Sequence, residues 1–273
     1  MRPRRLLLVL LSLPALAFIC VPLLSLLARA EVARAKSYVC CDDVASALHL
    51  SLVTSAIAAL VIVLIGSPLA YWLTFTHFRG KRIVDSIIDL PVVLPPAVAG
   101  VALLMAFGRE GVIGRFSSER GIEFATGTTA AVVLAQVFVA CPFYIRQARV
   151  GFLNIPPQLI LASRTLGASP ARTVRKVVLP LASQALVAGL IMAWARAVGE
   201  FGATIMFAGR LKGVTMTMPL AIYTEINEKG NLSAGIVLSL VLVAISFLVM
   251  VATKLLLTGE RQSAAASLAT VVE

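Results

Sequence analysis

Three ionisable residues, Asp89, Arg196 and Glu200, stand inside long apolar blocks of this sequence. A charge at membrane depth is expensive and by default marks a function. Arg196 and Glu200 are four residues apart, which on a helix makes them neighbours on one face. Three roles fit them: a structural pair or gate hinge, a pair lining a polar path, or direct anion binding by Arg196. Pairing is the simplest, because each charge offsets the other's desolvation. Gly199 and Gly202 beside them suit close helix approach or bending better than ligand contact. His49 and His77 are isolated and suit membrane boundaries better than ligation or proton relay.

Other chemistry is hard to place. No G-x-x-x-x-G-K-[ST] phosphate cradle is present, and Gly80-Lys81-Arg82 lacks both the upstream glycine and the hydroxyl. Paired catalytic carboxylates, a metal cluster and a nucleophile elbow are missing from every loop. Cys20 and Cys141 lie in apolar blocks, and Cys40 and Cys41 are adjacent, a spacing that rarely bridges. Nothing in the Cys/His pattern suggests a metal site.

The elements that hold these residues follow from composition. Of 273 residues, 59% are hydrophobic and 14% charged, with mean hydropathy +0.96. Soluble domains carry roughly 45–50% apolar and about 25% charged residues, so a soluble enzyme and a disordered chain are both excluded. Crossing a hydrocarbon core takes about 20 apolar residues as helix. Six segments qualify: Leu6–Leu27, Leu48–Leu73, Ile87–Phe107, Thr129–Ala148, Leu181–Gly209 and Ala234–Leu257. The short alternating strands of a barrel are lacking. The fold class is an all-α integral membrane protein of about six transmembrane helices. Ala28-Arg29-Ala30 also resembles a signal-peptidase site after Arg2, Arg4 and Arg5, but the apolar run exceeds the roughly 7–15 residues of a signal core. An uncleaved first helix is the favoured reading.

The net charge is +11. With the N-terminus inside, 14 Lys and Arg fall on the cytoplasmic side (residues 2, 4, 5, 79, 81, 82, 146, 149, 164, 172, 175, 176, 254 and 261) and nine outside. Glu31, Asp42, Asp43, Glu110, Glu119, Glu123, Glu225 and Glu228 fall outside. Both termini are therefore expected in the cytoplasm, and the basic excess needs no nucleic acid. The small, polar tail after Thr258 is expected to fray.

Span three holds Pro91, Pro95 and Pro96, which cannot all sit in a regular helix. Irregular backbone at membrane depth survives only where protein buries it or water reaches it. This segment is read as irregular backbone lining a wet, protein-walled space, with a proline-kinked packing helix as the alternative.

The segment between spans four and five is organised. Pro156-Pro157 breaks the chain, Gln158–Leu166 reads as a short helix, and Gly167 suits a C-cap. Ser169-Pro170 restarts a helix carrying Arg172, Arg175 and Lys176 before Leu179-Pro180 enters the membrane. Composition alone allows docking into a partner's groove or an amphipathic segment lying on lipid.

Leu161-Ala162-Ser163-Arg164-Thr165-Leu166-Gly167, followed by Val177-Val178-Leu179-Pro180, resembles the EAA loop of ABC importer permeases. Ala162, Gly167, Val177, Leu179 and Pro180 match, Ser163 is a mild change, and Ile160 and Leu161 stand where a Glu is usual. Asp89-Leu90-Pro91-Val92-Val93-Leu94-Pro95-Pro96-Ala97-Val98-Ala99-Gly100 resembles the third-span signature of molybdate permeases. Gly199-Glu200-Phe201-Gly202-Ala203-Thr204, continuing to Gly209, resembles the fifth-span signature of the molybdate, tungstate and sulfate group, and Thr215–Tyr223 the molybdate branch. Gly108–Gly114 adds weaker support, and the resemblance covers roughly residues 45–257.

The resemblance implies a type I ABC importer permease fold with a cytoplasmic coupling helix. Its divisions are residues 1–44 (first helix and external loop), 45–257 (transmembrane domain with the EAA-like loop at 158–180) and 258–273 (cytoplasmic tail). It implies a multi-pass protein of a prokaryotic cytoplasmic membrane that imports molybdate or tungstate. The alternatives are sulfate or thiosulfate as substrate, or an ion-coupled secondary transporter. Implied partners are a second copy of the chain, two cytoplasmic ABC ATPase subunits, an extracytoplasmic oxyanion-binding protein and membrane lipid. The chain itself binds no cofactor, and ATP-Mg belongs to the ATPase. Residues implied in ATPase coupling are Ala162, Ser163, Arg164, Thr165, Leu166, Gly167, Ala168, Leu179 and Pro180. Those implied in the path or gate are Asp89, Pro91, Pro95, Pro96, Gly100, Arg196, Gly199, Glu200, Gly202 and Thr204.

Overall fold

The structure, a computed structural model, describes the backbone of residues 3–29, 42–118 and 126–272, and the side chains of 11–29, 43–116 and 126–252 within these. Cys40, Cys41 and the external charges at residues 31, 34, 36, 119, 120 and 123 lie outside the described residues. Among the described residues every regular element is helical. The first elements are α1 (Pro3–Ala28), α2 (Asp42–Phe75), α3 (Lys81–Val93), α4 (Pro96–Phe107) and α5 (Val112–Ser118). Next come α6 (Thr129–Leu153), α7 (Pro157–Thr165) and α8 (Pro170–Thr173), then a π turn (Val174–Val178) leading into α9 (Leu179–Val198). Helices α10 (Gly202–Phe207), α11 (Met218–Asn227) and α12 (Leu232–Val272) complete the order.

Six stretches among the described residues are long and apolar enough to span a bilayer: Leu11–Ala28, Asp43–Phe75, Pro96–Phe116, Thr129–Leu153, Pro170–Val198 and Leu232–Ala252. Two expected spans need correction. Residues 87–93 belong to α3, which stops at Leu94, so the third span starts at Pro96 rather than Ile87. Pro91, Pro95 and Pro96 donate no backbone N–H, so the carbonyls four residues earlier lose their helical donors and the chain breaks there. Pro95 and Pro96 then take the N-cap and first-turn positions of α4, where a missing N–H costs nothing. Span five ends at Val198, not Gly209, and α10 is a separate short helix. The tail expected to fray continues α12 as helix to Val272.

Helix α6 is the central post, packed against α2 and α9. The three contribute small side chains to one core, among them Ala58 and Ala70 of α2, Ala140 and Ala148 of α6, and Ala193 and Ala197 of α9. Small residues let helix backbones approach closely where lipid supplies no hydrophobic drive between helices. Tyr144 is buried among them, its hydroxyl 2.6 Å from Ser67 Oγ, so its polar end is satisfied inside the bundle.

Polar contacts sort to the two ends of the bundle. At one end Asp43 pairs with Lys212, Arg210 with Glu228, and Thr129 donates to the Val214 carbonyl at 3.0 Å. At the other, Arg149 Nη1 reaches Asp85 Oδ1 at 2.7 Å and Arg146 Nε reaches Asp89 Oδ1 at 2.6 Å. These two ion pairs fasten α3 to α6.

Candidate functional site: a crossing of broken helices and an exposed hairpin segment

The two motif-bearing spans meet. A Cβ on Gly202, at the start of α10, would overlap Pro96 Cβ at the start of α4. One on Gly100, a turn along α4, would stand 2.6 Å from Met206 Cβ and 2.8 Å from the Ala203 carbonyl. Both glycines therefore permit helix contact. Gly199 does not: its nearest neighbour would be the Ala195 carbonyl at 3.6 Å, and it serves as the C-cap where α9 stops.

Arg196 and Glu200 do pair, with Nη1 2.7 Å from Oε2, but not on one continuous helix as their spacing suggested. Helix α9 ends at Val198, and Glu200 sits in the break. Its other oxygen, Oε1, accepts from the Ala203 N–H at 2.7 Å and caps α10. A carboxylate suits that place, since the first N–H groups of a helix lack internal partners. The Glu200 side chain is 1% exposed and that of Arg196 30%, so the arginine alone reaches the edge of the packed region.

Asp89, read from the sequence as an isolated intramembrane charge, is instead the partner of Arg146 on amphipathic α3. Pro91 lines an apolar cleft of about 250 Å³ with Ile65, Ile87 and Cys141. Asp89 and Pro91 therefore lie on the α3 side of the break, and Pro95, Pro96 and Gly100 at the crossing with α10.

Buried polar atoms add what the motifs did not show. Gln136 in α6 is 1% exposed, and neither amide atom has a hydrogen-bond partner. The Thr204 and Thr217 hydroxyls are likewise buried without partners. An unsatisfied buried polar group costs roughly 1–3 kcal/mol. Gln136 had a signal in the sequence, an amide in the middle of an apolar block, but no spacing marked it.

The segment between spans four and five forms as expected. Helix α7 ends at Thr165, and Gly167 takes φ +80°, the left-handed turn. Ser169 caps α8, its hydroxyl accepting from the Arg172 N–H at 3.3 Å, with Pro170 in the first turn. Ser163 Oγ lies 3.1 Å from Thr173 Oγ1 and ties the two helices. The π turn runs without a break into α9 at Leu179-Pro180, the Leu179 N–H bonding the Val174 carbonyl. The wider turn accommodates a proline whose ring would crowd the preceding turn of an α-helix. Ala162, Arg164, Thr165, Leu166 and Gly167 are exposed, and Ser163 and Ala168 are half-buried.

The fold is shared with solved importers. The structure matches that of a bacterial ABC transporter involved in import of the acidic polysaccharide alginate, with TM-score 0.74 and 13% identity over 94% of this chain and 96% of that one. It matches the MetNI methionine ABC transporter with TM-score 0.62 and 23% identity over 78% and 94%. Among curated proteins, the probable transport system permease protein NifC of Clostridium pasteurianum is 44% identical over 68% of this chain and 65% of its own. The molybdenum transport system permease protein ModB of Mycobacterium tuberculosis is 40% identical over 87% and 90%, and that of Escherichia coli K12 is 36% identical over 80% and 95%. Residues 62–261 match the family of binding-protein-dependent transport system inner membrane components. With broken spans crossing at paired glycines and a structured segment exposed between spans four and five, the chain belongs to that family of ABC importer permeases, as a multi-pass membrane protein.

Proposed function

We propose that the chain is the permease subunit of an ATP-driven importer that carries molybdate, or tungstate, into the cell by alternating access. The observation that carries the substrate is the 40% identity to a molybdenum permease across 87% of this chain. The end bearing α3, α7 and α8 faces the cytoplasm, as the excess of basic residues there supports, and with six spans both termini lie on that side. Two copies pair in the membrane, two ABC ATPases dock from the cytoplasm, and a binding protein delivers the oxyanion to the end bearing Asp43 and Lys212.

A dianion cannot enter hydrocarbon, so its path must be wet and lined by protein. A permanently basic lining would trap the ion, and weak donors suit a conduit better. The buried, unpartnered Gln136 amide and Thr204 hydroxyl support such a lining, whereas Arg196 is already neutralised by Glu200. The crossing of α4 and α10 is the gate. ATP-driven closure of the ATPases draws the Gln158–Pro170 segments together and opens the dimer outward; hydrolysis reverses this and releases the ion inward.

Uptake into proteoliposomes holding the whole transporter tests the reading. Radiolabelled molybdate should accumulate only with ATP inside and loaded binding protein outside, and excess tungstate should compete. Competition by sulfate at equal concentration would move the substrate to the sulfate branch. ATP-independent uptake driven by an ion gradient would sink the reading.

A further inference from the structure

We infer that the cleft between α2, α3 and α6 holds an anionic phospholipid, with its acyl chain in the cleft and its phosphate on Arg79 and Arg82. Only the leaflet, the cytoplasmic one, is taken from the orientation proposed above. The cleft, of about 250 Å³, is lined by Ile65 and Leu69 of α2, Ile87 and Pro91 of α3, and Cys141 and Ile145 of α6. Ile65 is 53% exposed and Ile87 61%, so its sides open outward from the bundle. Ile65, Leu69 and Trp72 follow the four-and-three spacing of one helical stripe. That stripe leads from the cleft to Trp72, whose ring stacks on Phe78 with centroids 4.5 Å apart. Arg79 follows directly in the chain.

The ion pairs of α6 give the depth. Thr129 starts α6 at the end bearing Asp43 and Lys212, and Arg146 and Arg149 stand 17 and 20 residues further along it. At 1.5 Å per residue that is about 26 and 30 Å, the far boundary of the hydrocarbon core. Asp89 pairs with Arg146 and Asp85 with Arg149, so α3 runs against α6 and its start lies deeper still. Arg79 and Arg82 therefore stand at headgroup level, where Trp is also favoured. Both are exposed, and no acidic side chain among the described residues pairs with either. The two acids of α3 are already committed to α6. Lys81 turns inward instead, donating to the Thr76 carbonyl at 3.2 Å and tying the turn. Topology asks for basic residues on this side of the membrane; it does not ask for them at the mouth of an apolar cleft beside a stacked Trp. Two free cations at headgroup level over an open apolar cleft match one molecule that carries a phosphate and a hydrocarbon tail.

The test is native mass spectrometry of the complete transporter, extracted in mild detergent and offered phosphatidylglycerol or phosphatidylcholine with the same acyl chains. Wild type should retain phosphatidylglycerol in preference. R79Q/R82Q should lower that retention roughly twentyfold, about fivefold for each charge removed, with phosphatidylcholine unchanged. R79K/R82K should keep it, because the charge is preserved. I87W, which fills the cleft, should lower retention of phosphatidylglycerol; unchanged retention by I87W overturns the seat of the acyl chain. Equal retention of the two lipids by wild type, or wild-type retention by R79Q/R82Q, overturns the headgroup site. Displacement of the lipid by millimolar inorganic phosphate assigns the cations to a soluble phosphate and overturns the lipid. A cross-link between two copies carrying Ile87→Cys places a second permease over the cleft and overturns it as well. The readout is lipid held by the protein, not uptake, so a chain that keeps the lipid and carries no molybdate overturns the permease reading alone.

Discussion

Gly100 and Ala203 touch backbone to backbone: a Cβ on Gly100 would stand 2.8 Å from the Ala203 carbonyl and 3.1 Å from its Cα. Helices α4 and α10, a hundred residues apart in sequence, pack at a spacing only glycine allows. Gly202 against Pro96 makes the second point of the same contact.

Gly100→Ala and Gly202→Ala should each force α4 and α10 apart. Overpacking of this kind costs about 1–3 kcal/mol. Both variants should lower the melting temperature in detergent and reduce uptake. Gly199→Ala, with no neighbour closer than 3.6 Å, should melt like wild type. Equal losses at all three positions would argue against the contact.

Removing Arg196 leaves the Glu200 carboxylate buried without its charge partner. Arg196→Met should cost about 3 kcal/mol, the low end for a broken buried pair because Arg196 is partly exposed. Glu200→Gln keeps an oxygen to cap α10, and Arg196→Met with Glu200→Gln should be milder than Arg196→Met alone. A double-mutant cycle on thermal unfolding measures the coupling. Additive losses would show that the two side chains act separately.

Gly167 has open space around it, so its requirement is conformational rather than steric. At φ +80° a β-branched side chain is strained by roughly 1–2 kcal/mol, while Asn tolerates the left-handed region. Gly167→Val should sharply reduce ATP-driven uptake with membrane insertion intact, and Gly167→Asn should retain most of it. If Gly167→Val transports normally, the turn does not matter to coupling.

Asp85 and Arg149 pair through both carboxylate oxygens, at 2.7 and 3.3 Å. Each side chain is about a quarter exposed, which limits the pair to about 1 kcal/mol. Asp85→Arg or Arg149→Asp alone should loosen α3 from α6, read as faster proteolysis in the connector at residues 76–80. The double exchange should restore protection. Failure of the exchange to do so would remove the pair as the fastening of α3.

Much of this molecule was legible in one dimension because lipid punishes polar backbone. Six apolar blocks had to become helices, since no other open structure satisfies its own hydrogen bonds in hydrocarbon. The α7 segment was legible for a local reason: Pro156, Pro157, Gly167, Ser169 and Pro170 each act on their own backbone within one or two turns. Span ends were less so. Ile87–Val93 is apolar enough to belong to a span, and only the break at Leu94 places it in amphipathic α3.

What tertiary structure alone decided was partnership. Spacing paired Arg196 with Glu200 correctly, but it took the folded chain to show that the helix ends between them and that Glu200 also caps α10. Asp89 looked alone in its span because Arg146 lies 57 residues away. Gly202 suited either close helix approach or bending, and Gly100 was placed only in the path or gate, until α4 and α10 met. Hydropathy and local caps act over a few residues, so a sequence states them directly. Ion pairs and close packing depend on which distant helices become neighbours, and that is settled only when the bundle closes.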